Sequence, residues 1–162
     1  MTTLDDAVAA LARTRAELLG IVGGLDAAAL DRRGVVGGWS IKNVLAHLAA
    51  WEDWVVQALP ARVATGATPE DFRARARDED RFNAAEVAER EELTPDEQLM
   101  ELERTRDALL AYARGLDAAT LARANPWDTW QGTIPEYLLA ALRDHEAEHV
   151  AELRDAVVRM TR

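Results

Sequence analysis

Residues Arg143 to Val150 read "RDHEAEHV" and contain a literal H-E-x-x-H match: His145, Glu146, Ala147, Glu148 and His149. On a helix this spacing sets two imidazoles one turn apart on one face, the arrangement with which zinc peptidases hold their metal while the glutamate acts as base. A peptidase also needs a third ligand further along the chain and a β-strand edge to seat its substrate. Glu152 and Asp155 stand where a glycine and a histidine would extend the motif, little sequence remains beyond them, and no segment reads as a convincing strand. The stretch therefore belongs to the last helix of an all-α protein, with Glu146 expected on its solvated side.

The rest of the chain agrees with a helical reading. Apolar residues make up 49%, aromatics only 6%, and no long β-branched alternation occurs. A length of 162 residues suits one domain spanning 1–162. The formal net charge of -10 repels phosphate backbones and excludes general nucleic-acid binding in the absence of a basic run. No stretch approaches a membrane span, and the opening "MTTLDDAVAALARTRAELL" breaks its apolar positions with charges, so no membrane partner is expected and a cytoplasmic protein is the simplest expectation. With no cysteine, neither a disulfide nor a protein thiol nucleophile exists, and any metal must be held by histidine and carboxylate.

Start and stop signals divide the chain. Thr3 with Asp6 makes a capping box for a helix from Leu4 to about Val22, whose stripe is Leu4, Val8, Leu11, Ala12, Leu18 and Val22. Ser40 caps a second helix from Ile41 to about Arg62, and Thr68 with Pro69 opens a charged, mostly solvent-facing one through "EDFRARARDEDRFNAAEVAEREEL". Thr94, Pro95 and Glu97 start a helix that Gly115 ends, and Thr133, Pro135 and Glu136 start the last, through about Met160. "LDAA" recurs after the first and fourth helices. Four long amphipathic helices imply an antiparallel bundle whose long crossover carries the extra charged helix.

Three histidines occur: His47, His145 and His149. At 100° per residue the C-terminal pair shares a face with Ile134, Leu138, Ala141, Leu142, Ala156 and Met160, and His47 shares one with Val44, Trp51, Trp54 and Ala58. All three point inward. Unpartnered buried imidazoles are costly, whereas a divalent metal takes one nitrogen from each ring. A facial three-histidine site is one reading and core histidines without metal the other. Trp39, Trp51, Trp54, Trp127 and Trp130 either wall a pocket beside such a site or plug the bundle ends.

"GWSIKNVLAHLAAWEDWV" (Gly38 to Val55) together with "DHEAEHVAEL" resembles the DinB/YfiT-like superfamily of metal-binding four-helix bundles, and "DRFNAAEVAEREELTPDEQLMEL" looks like its ClbS/DfsB-like branch. The resemblance implies an up-down-down-up bundle, often dimeric, with Zn2+ or Ni2+ on His47, His145 and His149. It also implies an enzyme acting on small electrophiles, with mycothiol or bacillithiol as cosubstrate, as in the mycothiol-dependent maleylpyruvate isomerase. A ClbS-like hydrolase, with Asn83 and Glu86 as residues to watch, and a noncatalytic sensor bundle are the alternatives. Glu152 or Glu148 would orient a histidine or move a proton, and Trp39, Trp51, Trp54, Trp130, Asn83 and Glu86 are the candidate pocket residues.

Overall fold

The structure, a computed structural model, describes residues 2–127 and 130–161, and their side chains outside 125–130. Helix α1 (Leu4–Val22) leads through the short α2 (Ala27–Asp31) to α3 (Ile41–Thr65). The crossover carries α4 (Glu70–Ala76) and α5 (Glu79–Glu89) and delivers the chain to α6 (Pro95–Arg114). After α7 (Ala118–Ala122) and a hairpin of β1 (Asn125–Trp127) and β2 (Trp130–Gly132) comes α8 (Ile134–Leu138). It continues through a π-helical turn, Leu139–Arg143, into α9 (Asp144–Met160).

The long helices begin where the sequence places them because each starts with a reciprocal cap. Thr3, Ser40, Thr94 and Thr133 accept the backbone N–H of Asp6, Asn43, Glu97 and Glu136, whose side chains in turn accept from the cap residue's N–H. Helix α3 stops at Gly66, whose φ of +77° is a left-handed conformation that glycine reaches without a Cβ clash. The repeated "LDAA" makes the same device twice, since Asp26 and Asp117 cap α2 and α7.

Core composition fixes the topology. Leu11 of α1 packs in one cluster with Trp54, Val55, Ala58 and Leu59 of α3, Leu109 and Ala113 of α6, and Ile134, Leu138 and Leu142 of the last helix. Leu18 and Val22 pack in a second with Ile41, Val44, Leu45 and Leu48, Leu102, and Val150 and Leu153. Chain direction between the clusters is thus the same for α1 and α9, and opposite for α3 and α6. This is the expected up-down-down-up bundle, in which parallel neighbours need the long crossover at 66–94. Among the described residues no helix is long and apolar enough to cross a membrane.

Four expectations are corrected. The charged segment is two helices, because Asp78 caps a new start at Glu79, and it is not simply solvent-facing: Phe82, Glu86 and Val87 are buried. The buried stripe of α1 runs through Ala7, Thr14 and Arg15 and leaves Ala12 exposed, because Arg15 is paired inside the bundle. The last helix is interrupted by the π turn, which adds a residue to the repeat and re-aims the side chains of α9. A strand pair exists at 125–132, too short to show the alternation that marks strands in sequence.

Candidate metal centre

His47 stands in the second turn of α3, and His145 and His149 occupy successive turns of α9 just past the π turn. The structure brings the three rings together. His47 Nε2 lies 2.9 Å from His145 Nε2, and His145 Nε2 lies 3.2 Å from His149 Nε2. All three pairs of ring centroids are 4.9 Å apart, with planes tilted 74–81° to one another. The rings therefore meet edge to edge, nitrogen toward nitrogen, not stacked.

Those separations can be tested against a cation. Two nitrogens each about 2.0–2.1 Å from zinc lie about 2.9 Å apart at a right angle and about 3.3 Å apart at the tetrahedral angle. Both observed distances fall in that interval. Protonation states fit as well. Burial, followed by the neighbouring imidazoles His145 and His149, holds His47 down at about 3; burial and then His149 hold His145 at about 4. Both rings are therefore neutral at pH 7 and offer lone pairs. His149 Nδ1 lies 2.8 Å from Glu152 Oε2, placed to donate its N–H to the carboxylate, and its Nε2 faces the other rings. His47 Nδ1 is buried with no hydrogen-bond partner among the described residues.

A cavity of about 420 Å³ opens on the triad, with Trp51, Trp54 and Tyr137 among its walls and Glu79, Asn83 and Glu148 as polar groups. The Trp51 indole N–H donates to Asn83 Oδ1 at 2.9 Å, fixing the side chain of α5 against α3. The Trp54 N–H donates to the Phe72 carbonyl at 3.2 Å. Trp39 instead packs on the flank of His47, centroids 5.3 Å apart, and lines a separate groove with Arg33, Asn43 and Glu91. Glu86 is also elsewhere, held by Arg75 and Arg90 at 2.9 and 2.8 Å. Trp130 belongs to β2, and its side chain, like that of Trp127, lies outside the described residues.

Glu146, expected on the solvated side, is 1% exposed. It pairs with Arg15 at 2.5 Å and with Arg106 at 3.2 Å, and Glu52 pairs with both arginines too. The reason is position after the π turn: the face of α9 toward the core is Glu146, Val150 and Leu153, while the two histidines look sideways into the cavity. Sequence reading missed this quartet. The available signal was a charged residue on each long helix at a place flanked by core apolar residues.

A family model described as the DinB superfamily matches residues 10–153. No curated protein matches the chain. Among solved structures, YfiT from Bacillus subtilis, described as "a probable metal-dependent hydrolase with an unusual four-helix bundle topology", superposes with a TM-score of 0.67 at 20% identity. The alignment covers 98% of this chain and 87% of that one.

Proposed function

The chain belongs to the DinB superfamily, and on that premise we propose that His47, His145 and His149 hold a divalent cation and that the adjoining cavity receives a small electrophile for transfer or hydrolysis. The observation that carries the reading is the convergence of three imidazole Nε2 atoms at separations of 2.9 and 3.2 Å. When bound, a cation of the zinc or nickel type makes a water or a thiol acidic enough to supply a nucleophile near neutral pH.

The chain's own residues then divide the remaining work. Trp51 and Trp54 exclude water and offer apolar faces to the electrophile. Asn83, whose carbonyl oxygen is already held by Trp51, has its amide N–H groups left to donate to a ligand. Glu148 lies exposed on the cavity wall beside His149, with no hydrogen bond or ion pair among the described residues. Its carboxylate takes the proton from the thiol S–H or water O–H and returns it to the atom that leaves the electrophilic carbon. Glu152 keeps His149 in its tautomer.

Because the chain has no cysteine, a thiol must come from a small molecule. Among the described residues the cavity lining contains Glu79 and Glu148 and no lysine or arginine. A neutral thiol such as mycothiol suits that lining better than bacillithiol, which carries carboxylates of its own. The hydrolytic reading shares the cavity and substitutes water for thiol, and the words used of YfiT favour it. Glu86 is a poor base for it, tied as it is to two arginines.

The test is metal content followed by turnover. Untagged protein is expected to carry about one equivalent of zinc or nickel, and a His47→Ala/His145→Ala/His149→Ala variant to carry none. Equal stoichiometry in the two ends the proposal. Consumption of a model epoxide that requires mycothiol marks a transferase, and thiol-independent consumption marks a hydrolase. Metal-loaded protein inert with mycothiol, bacillithiol, glutathione and water would be a binding bundle.

A further inference from the structure

Four charged side chains occupy the middle of the core. Arg15, Glu52, Arg106 and Glu146 come one from each of α1, α3, α6 and α9, and none exceeds 8% exposure. On every helix the charged residue falls between members of the two apolar clusters: Arg15 between Leu11 and Leu18, Glu52 between Ala49 and Trp54, Arg106 between Leu102 and Leu109, Glu146 between Leu142 and Val150. They form a polar layer with two positive and two negative charges. Because ion pairs buried this way contribute little net stability compared with well-packed apolar residues, holding the chain together does not account for the layer.

Its connectivity does. Arg15 donates through Nη2 to Glu52 at 2.7 Å and through Nε to Glu146 at 2.5 Å. Arg106 donates through Nε to Glu52 at 2.9 Å and through Nη2 to Glu146 at 3.2 Å. Each arginine thus bridges the same two carboxylates, and each is itself anchored to backbone: Arg15 to the Leu102 carbonyl and Arg106 to the Leu11 carbonyl, both at 3.2 Å. Thr105 donates to the second Glu52 oxygen at 3.0 Å. The bridged carboxylates sit on the two helices that carry the triad, Glu52 on the helix of His47 and Glu146 next to His145. Glu146 is also the first buried residue after the π turn, where the regular hydrogen-bond ladder ahead of His145 is interrupted.

We infer that Arg15, Glu52, Arg106 and Glu146 are positioning residues for the metal centre: a two-arginine clamp ties α3 to α9 and sets the distance from His47 to the His145/His149 pair. The inference rests on the metal reading of the triad. Directional, charge-assisted bonds fix helix register more narrowly than apolar contact, and a site of three donors on two helices needs that tolerance. A change in the layer therefore moves affinity for the cation even though no layer residue touches it.

The experiment uses the full chain, freed of metal, and reads Zn2+ affinity by chelator competition and Co2+ site geometry by visible absorption. Glu146→Gln leaves an uncompensated arginine and so can unfold the chain. Arg15→Met/Glu146→Leu removes one charge of each sign and keeps the Arg106–Glu52 pair. Arg154→Gln, which breaks an exposed α1–α9 pair with Glu17 of 2.7 Å, is the control. Expected is a helical double variant with Zn2+ affinity at least tenfold weaker and a changed Co2+ spectrum, beside a control identical to wild type. A folded double variant within twofold of wild type overturns the inference alone, as does an equal loss in the control. Failure of the double variant to fold also counts against it, since the layer would then serve stability. A wild-type chain that binds neither ion overturns the metal reading and the inference together.

Discussion

In the polar layer, Arg15, Glu52, Arg106 and Glu146 answer one another with opposite charge and are each bonded more than once. In the triad on the same helices, His47, His145 and His149 turn three like nitrogen atoms toward one point. Opposite charges packed together are complete in themselves and fix position. Like donor atoms packed together are completed only by a proton or a cation shared among them, and burial makes the proton unwelcome. The layer is thus built to hold geometry and the triad to use it.

The difference can be broken from the layer side first. Glu146→Gln leaves two buried guanidiniums sharing the single Glu52 carboxylate and is expected to cost about 3–5 kcal/mol in urea denaturation of metal-free protein. His145→Ala in the same assay is expected to stay within about 1 kcal/mol, and in a separate Zn2+ titration to lose the metal. Equal costs would erase the distinction.

Acid sharpens the contrast next. His47 at about 3 and His145 at about 4 in the folded chain compare with about 6.5 unfolded. Above pH 6.5 neither state binds these protons and stability is at its full value. As pH falls from 6.5 toward 4, the unfolded chain takes up protons that the folded one refuses. Metal-free protein should then lose about 1.4 kcal/mol per pH unit for each ring. A His47→Ala/His145→Ala variant should show a flatter profile, checked by urea midpoints between pH 7 and 4.5.

Smaller effects come from the edges. Glu152→Gln weakens the acceptor that fixes the His149 tautomer and is expected to lower metal affinity about tenfold with apo stability unchanged. Arg154→Gln is expected to change stability by no more than about 0.5 kcal/mol and affinity not at all, since its partner Glu17 is exposed. Both are read from the same titrations.

Much of the fold and the site was legible in the chain. Capping boxes at Thr3, Ser40, Thr94 and Thr133 announce helix starts through local chemistry that tertiary structure has no cause to override. The histidine pair is legible because four residues make one turn and a little more, which keeps both rings on one face. The π turn was not, because the extra residue at 139–143 breaks no sequence rule, and a straight-helix projection then sets the histidines on the core face and Glu146 outside it. Nor was the layer: Arg15 and Glu146 stand 131 positions apart, and each alone reads as a solvated helix charge. The break at Asp78 was hidden inside a charged run with no glycine or proline to mark it.

X-ray absorption at the metal edge, on full-length chain loaded with zinc or nickel, tests the central claim most directly. The account predicts three nitrogen ligands at about 2.0–2.1 Å and one fewer in the His47→Ala variant, because α3 contributes a ligand alongside the α9 pair. An oxygen-only shell, or a spectrum that His47→Ala leaves unchanged, would contradict it.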